Sequence, residues 1–375
     1  MLALVLSGGG ARGAYQAGVI NSISEISAQL GVRQPFKIFS GASAGAINSS
    51  FLASEADDFI RASEKLSLLW EQLRSDQVFH TDPISLSKIG FKWMKDLPFG
   101  GLTGSSAGPS LLNTDPLRKL LLEQINFNKI QTHIDQKYLH ALAITAVDYY
   151  SSMAQTFVQS SNDQEMWVRS RRFSEKVNIH AEHIMASSAI PLLFPPIEIA
   201  KRFYGDGCVR NNAPMSPALH LGANKLIVIG VRRQTNIMEP FKKESPLAPT
   251  IARVFNMLLN AVLLDGIELD VDRLKRINEF MDKLPTELQK GKVNFKKVDY
   301  VWIHPSVDIG QMAFELSDKL PRLIRYLLRG LGPNEDAKEI ISYLLFEPEF
   351  TQKLVQSGYE DGMKQKENIK RLIGG

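Results

Sequence analysis

Two clusters of small residues near the start of the chain have the types and spacing of acyl-transfer chemistry. Gly41-Ala42-Ser43-Ala44-Gly45 is a G-x-S-x-G string. Glycines on both sides let the backbone turn sharply, so that a serine Oγ is lifted clear of the preceding strand. A helix that follows points its free N–H groups and positive dipole end at the reacting carbon. Ser43 is therefore the candidate nucleophile, and a plain structural turn is the alternative. Gly8-Gly9-Gly10-Ala11-Arg12-Gly13 follows an apolar run at residues 2–6. It also fits G-x-G-x-x-G, but the dinucleotide fingerprint wants an acidic residue about 20 positions on, at the end of a second strand. Glu25 falls inside the first helical segment, and the Ser43 turn occupies the second-strand end. The loop makes better sense as an oxyanion hole. Backbone N–H groups of Gly8, Gly9 and Gly10, joined by that of Ala44, would bind the charge that acyl transfer places on a carbonyl oxygen. Arg12 either braces this loop or contacts a substrate phosphate.

A serine hydroxyl needs a general base. The chain has seven histidines, none in a turn that marks it as catalytic, and His180 with His183 lacks the H-E-x-x-H pattern of a zinc helix. Asp206, between Gly205 and Gly207, is the other candidate. An aspartate between glycines is a turn residue by default, and spacing does not choose between the two roles.

The elements that must position these residues follow from periodicity. Residues 2–6 and 36–40 read as buried strands, each followed by a glycine turn and a helix, at 14–23 and 46–53. Two strand–turn–helix units in the first fifty residues imply a parallel α/β sheet. Further strands are expected at 140–147, 225–231 and 300–304. Residues 55–80, 250–285 and 314–372 read as helical, and the Gly/Ser/Pro-rich stretch 97–112 as a loop. The apolar helical spacing within 247–264 fits either a core helix or an interfacial helix over the cleft. No linker is evident. A catalytic part at 1–231 and a helix-rich part at 232–375 are expected to pack as one domain.

Bulk composition excludes several classes. A single cysteine, Cys208, rules out an intrachain disulfide and a cysteine-cluster metal site. The net charge of +4 is small for 375 residues, and no basic stripe interleaved with aromatics argues for nucleic acid. Basic clusters such as Arg169, Arg171 and Arg172 read as solvated surface or as attraction to anionic headgroups. There is no signal-peptide pattern, and no apolar run reaches the ~18 residues of a spanning helix. A cytoplasmic protein with peripheral membrane contact is expected.

These motifs together resemble those of the patatin-like phospholipase family. Gly8 to Gly13 is similar to its G-G-G-x-[RK]-G loop, and Gly41 to Gly45 to its nucleophile elbow. Ala186 to Pro196, with Pro191, is similar to its stiff segment before the base. Asp206-Gly207 with Asn211, Asn212 and Pro214 resembles its D-G-[GA]-x-x-x-N-x-P motif. All four lie within 4–214. The resemblance implies a three-layer α/β/α fold with a mostly parallel central sheet and a helical C-terminal part. It implies a Ser43–Asp206 dyad without histidine, metal or cofactor, acting on phospholipid or lysophospholipid esters through an acyl-enzyme. An activating protein partner is left open. The alternatives are a thioesterase or transacylase on acyl carriers, and a lipid-binding regulatory protein with a cryptic site. A free aspartate, with a pKa near 3.9, is too weak a base at neutral pH, so burial is expected to raise it. The third position of the D-G-[GA] motif is Cys208, which takes positive φ less cheaply than glycine.

Overall fold

The computed structural model describes residues 1–80, 110–161, 164–234, 248–285, 296–331, 333 and 335–374. The apolar run after Met1 is β1 (Leu2–Leu6), followed by α1 (Gly13–Gln29), β2 (Ile38–Gly41), α2 (Ala44–Ser54) and α3 (Phe59–Gln72). Next come α4 (Asp115–Gln124), α5 (Phe127–Asp135), β3 (Ala141–Asp148), β4 (Met153–Ser160), β5 (Val168–Arg169) and β6 (Arg172–Lys176). The segment leading to Asp206 contains α6 (Ala181–Ser187), β7 (Ile197–Ile199) and β8 (Arg202–Asp206). Beyond it lie α7 (Ser216–His220), β9 (Lys225–Ile229), α8 (Ile251–Leu263), α9 (Asp265–Lys283) and β10 (Asp299–Ile303). The chain ends in α10 (Ile309–Glu315), α11 (Arg322–Leu331), α12 (Lys338–Leu344), α13 (Pro348–Lys364) and α14 (Lys366–Gly374).

Strands β10, β9, β1, β2 and β3 lie side by side and parallel. Antiparallel β4 extends the sheet, followed by β6 and β5. The antiparallel pair β7–β8 joins along the far end of β3, where Ala146 faces Asp206. Side chains alternate across the sheet. Leu4, Leu6, Phe39 and Ile229 enter a core shared with α1, α2 and α3. Ala3, Val5, Ile38 and Val228 enter a second core under α7 and α9. Both faces are covered, which is why these strands read as continuous apolar runs. The mostly parallel sheet and helical C-terminal part agree with the expected fold.

The expected strands appear within about two residues of their predicted bounds. The helix expected over 55–80 is shorter, because Asp58 caps it by accepting the Arg61 N–H at 3.1 Å and the backbone becomes extended at Leu73. The span 250–285 divides at Leu264, and Asp265 and Glu268 then occupy the first turn of α9, where the helix dipole favours acids. Most of the loop expected at 97–112 lies outside the described residues. No helix among the described residues is long and apolar enough to cross a membrane.

Helix α13 returns to pack along α1 at very short range. A Cβ on Gly18 would stand 1.9 Å from Val355 O, and one on Gly358 would stand 2.1 Å from Tyr15 O. The two backbones touch because neither carries a side chain there. Gly18→Val should therefore destabilise the protein by about 3 kcal/mol or more in urea unfolding, since backbone cannot yield as a rotamer can. A loss below about 1 kcal/mol would show that α13 is not held against α1.

Candidate active site

Ser43 stands between the end of β2 and the start of α2. Its φ is +54°, a region that costs a residue other than glycine about 1–3 kcal/mol. Crowding enforces it. A Cβ on Gly41 would lie 2.2 Å from Gly45 O, and one on Gly45 would lie 2.3 Å from Leu6 O. The turn is closed from outside as well. Ser43 N–H donates to Ser187 Oγ at 3.0 Å, and that hydroxyl donates to Thr145 O at 2.6 Å. Ala44, next in the chain, opens α2, so its N–H has no carbonyl one turn back to bond.

The glycine loop lies against this elbow. A Cβ on Gly8 would come within 2.8 Å of Ser43 Cβ and 2.4 Å of Cys208 Sγ, so only glycine allows the approach. Gly9 faces Val231, and Gly10 turns at φ +57° beside Tyr343 O. Gly13 contributes packing, since a Cβ there would meet the Trp70 ring at 2.5 Å.

Arg12 is where the sequence-based grouping with the hole needs correction. Its side chain is 2% exposed. Nε donates to Ser342 Oγ at 2.9 Å, Nη1 to Val231 O at 3.3 Å, and Nη2 to Ser342 and Glu339. The guanidinium also stacks 5.0 Å from the Tyr343 ring centre. Sealed among these groups, it holds the loop from behind and has no path to a substrate phosphate. A second buried network was not foreseen. Gln16 donates to Ser7 O at 2.7 Å, Asn48 donates to Gln16 Oε1 and Gly13 O, and Trp70 donates to Asn48 Oδ1. It binds the loop to α1, α2 and α3 at once.

Asp206 ends β8 and is wholly buried. Its N–H donates to Ala189 O at 2.9 Å, which ties it to the segment containing Pro191. Oδ1 accepts the Cys208 N–H at 2.9 Å. Oδ2 is buried without a hydrogen bond of ordinary geometry. Burial raises the carboxyl from the ordinary 3.8 to about 6, opposed by the Ser43 hydroxyl and by the Cys208 N–H and thiol. A Cβ on Gly207 would lie 1.9 Å from Thr145 O, so the chain after the base presses on β3. Cys208 itself sits in a single 3-10 turn (Gly207–Val209) without positive φ, so the geometry does not call for glycine there. No histidine hydrogen-bonds Ser43 or Asp206 among the described residues. His183 lies edge-on against Phe157, and burial lowers it to about 4. His220 stacks on Trp167. Beside Ser43 opens a narrow cavity whose walls include Ile47, Leu69, Trp70, Ile190 and Phe194.

The model of the patatin-like phospholipase family matches residues 4–219. The chain belongs to that family. The match spans the glycine loop, the elbow and the Asp206 turn, which are the parts of a patatin-like phospholipase that meet in this site. Among curated proteins none matches the chain. Among solved structures it is similar to VipD from Legionella pneumophila, with 15% identity and a TM-score of 0.39 over 97% of this chain. It spans 66% of that chain's length. So loose an overlap supports no argument, and the family match alone carries the assignment.

The raised carboxyl has a consequence for stability. The folded state keeps a proton that the unfolded chain releases between about pH 4 and pH 6, so the stabilisation it brings is present below about 4 and is lost as pH rises through about 6. Asp206→Asn removes the buried charge, and should be more stable than the wild type by up to about 3 kcal/mol near pH 8, with the difference vanishing near pH 4. Chemical unfolding at both pH values measures it. Equal stability of the two proteins at high pH would mean that Asp206 is not desolvated.

Proposed function

We propose that the protein is a serine lipid acyl hydrolase in which Ser43 is the nucleophile and Asp206 its general base. The observation that carries this reading is the buried Asp206 carboxyl, whose ionised form the Ser43 hydroxyl favours, at an elbow whose serine is held at positive φ. A carboxyl near pKa 6 is ionised at neutral pH yet basic enough to accept a proton in the transition state. Ser43 Oγ attacks the ester carbonyl carbon while its proton passes to Asp206. The carbonyl oxygen becomes an oxyanion beside the N–H groups of Gly9, Gly10 and Ala44. The Gly8 N–H faces the Cys208 sulfur and is not among the donors assigned. Collapse of the intermediate breaks the bond to the alcohol oxygen, which takes the proton from Asp206 and leaves. Asp206 then deprotonates a water, which attacks the acyl carbon; the bond to Ser43 Oγ breaks, Oγ takes the proton back from Asp206, and the fatty acid is released. The apolar cavity suits an acyl chain, and the presence of Ser43 in its lining supports a reading in which the ester end of such a chain meets that serine. Family membership and this lining together favour phospholipid or lysophospholipid substrates.

Fatty-acid release from mixed phospholipid and lysophospholipid vesicles tests the reading. Ser43→Ala and Asp206→Asn should each lower it by at least about a thousandfold with the fold retained. For the wild type, kcat/KM should fall about tenfold per pH unit below about 6, with no histidine needed for that limb. Activity surviving either substitution, or an acid limb that moves when His220 is replaced, would overturn the assigned base or nucleophile.

A further inference from the structure

Near the cavity, one helix carries an exposed apolar face that no other described residue buries. Helix α8 has one charged residue in thirteen, Arg253. One side of it, through Ala252, Asn256, Leu259 and Leu263, is buried. The other side carries Ile251, Val254, Met257, Leu258 and Val262 at 39–68% exposure. A helix apolar all round belongs in a core or a membrane, and here one side meets neither. Contiguous apolar surface of this kind is uncommon on a free protein and marks an interaction site.

The face continues into a groove with wholly apolar walls. Ile251 and Phe255 of α8 oppose Ile324 and Leu327 of α11, with Leu344 of α12 and Leu192 also lining it. Leu192 is 54% exposed at φ +68°, a backbone conformation uncommon for leucine, and its carbonyl is held by the Leu111 N–H. The same short turn supplies Ile190 and Phe194 to the cavity beside Ser43. One turn thus walls both the catalytic cavity and the outer groove.

Charge decides what fits there. The sequence has no Asp or Glu from Pro321 to Asn334, nor from Leu247 to Leu264. Arg322 is exposed at the start of α11, and Arg325 follows one turn later. Tyr326, 73% exposed, stands beside the exposed Leu327. Asp336 accepts from Thr250 and Arg253 and is thereby neutralised. Apolar side chains with cationic and aromatic neighbours, and no Asp or Glu within α8 or α11 themselves, match the interfacial zone of a bilayer with anionic headgroups.

We infer that α8, α11 and the 190–194 turn form a docking face for a bilayer surface containing anionic phospholipid, which sets the cavity mouth toward the lipid. The inference rests on the lipid substrate proposed above, and its test is independent of catalysis. Ser43→Ala protein, which consumes no lipid, is sedimented with phosphatidylcholine vesicles with and without phosphatidylglycerol. It should bind the phosphatidylglycerol vesicles. Met257→Glu with Leu258→Glu should lower binding at least about tenfold, because both side chains lose their place in the acyl region. Arg322→Gln with Arg325→Gln should lower it about fivefold per residue on the anionic vesicles alone. Leu122→Glu, at an exposed apolar site on α4, should leave binding unchanged. All the substituted side chains reach the surface, and unchanged melting temperatures verify the fold. Binding unaffected by both double substitutions overturns the inference, as does a Ser43→Ala protein that binds neither vesicle; in the latter case the face belongs to a protein partner. Hydrolysis of a water-soluble short-chain ester, measured with Ser43 present, separates the two readings. Its absence alongside face-dependent vesicle binding removes the dyad and leaves the docking face standing.

Discussion

Asp206 has exchanged all contact with water for the Cys208 N–H and weaker support from the Ser43 hydroxyl and the Cys208 thiol. Moving its pKa from 3.8 to about 6 corresponds to about 3 kcal/mol against the charged form at neutral pH. That is a large fraction of the stability of an ordinary domain, so the surroundings must hold the carboxylate firmly. They do so with backbone. β8 pairs with the end of β3, the Asp206 N–H is fixed to Ala189, and Gly207 is pressed on Thr145 O. The same Thr145 carbonyl accepts from Ser187, which in turn receives the Ser43 N–H. Ser43 and Asp206, 163 residues apart in sequence, therefore share one residue of β3 as their common support.

The glycine loop is held by residues from much later in the chain. Arg12 is an ion-pair partner with almost no access to solvent, and removing Glu339 would leave its charge buried without its counter-charge. Tyr343 fills the space that a side chain on Gly10 would need. α13 then fastens α1, the helix that begins at Gly13, through backbone contact at Gly18 and Gly358. Backbone donors stabilise an oxyanion only when they are already fixed, and in the proposed reading α12 and α13 supply that fixing. The family match ends at residue 219, but the contacts that hold the site do not.

What was legible in the sequence follows from locality. Ser43 and the glycine loop announce themselves because turn, strand and helix signals lie within a few residues of each other. The central strands are legible because burial on both faces makes them unbroken apolar runs. β4 escaped notice because Gln155, Thr156 and Gln159 interrupt its pattern, and their polar atoms bond to Glu175, Thr145 and Gln131 on neighbouring elements. β8 was hidden because Gly205-Asp206-Gly207 spells a turn, although Tyr204 and Asp206 pair along β3. Arg12 could not be settled locally, since its partners stand more than 200 residues away. The Gln16–Asn48–Trp70 network is invisible for the same reason. A helical pattern of apolar residues on α8 marks a helix but cannot tell which of its faces finds a partner.

Helix α12 joins these themes. Glu339, Ser342 and Tyr343 hold the oxyanion loop through Arg12 and Gly10, while Ile340 and Leu344 line the outer groove. A seven-residue helix has little stability of its own, and its position is set by what packs on each side. On the inner side that is a buried charged network with one satisfied geometry. On the outer side it is an apolar groove with room to be filled. The glycine loop and the apolar outer groove thus rest on the same short piece of backbone, α12, from its two sides.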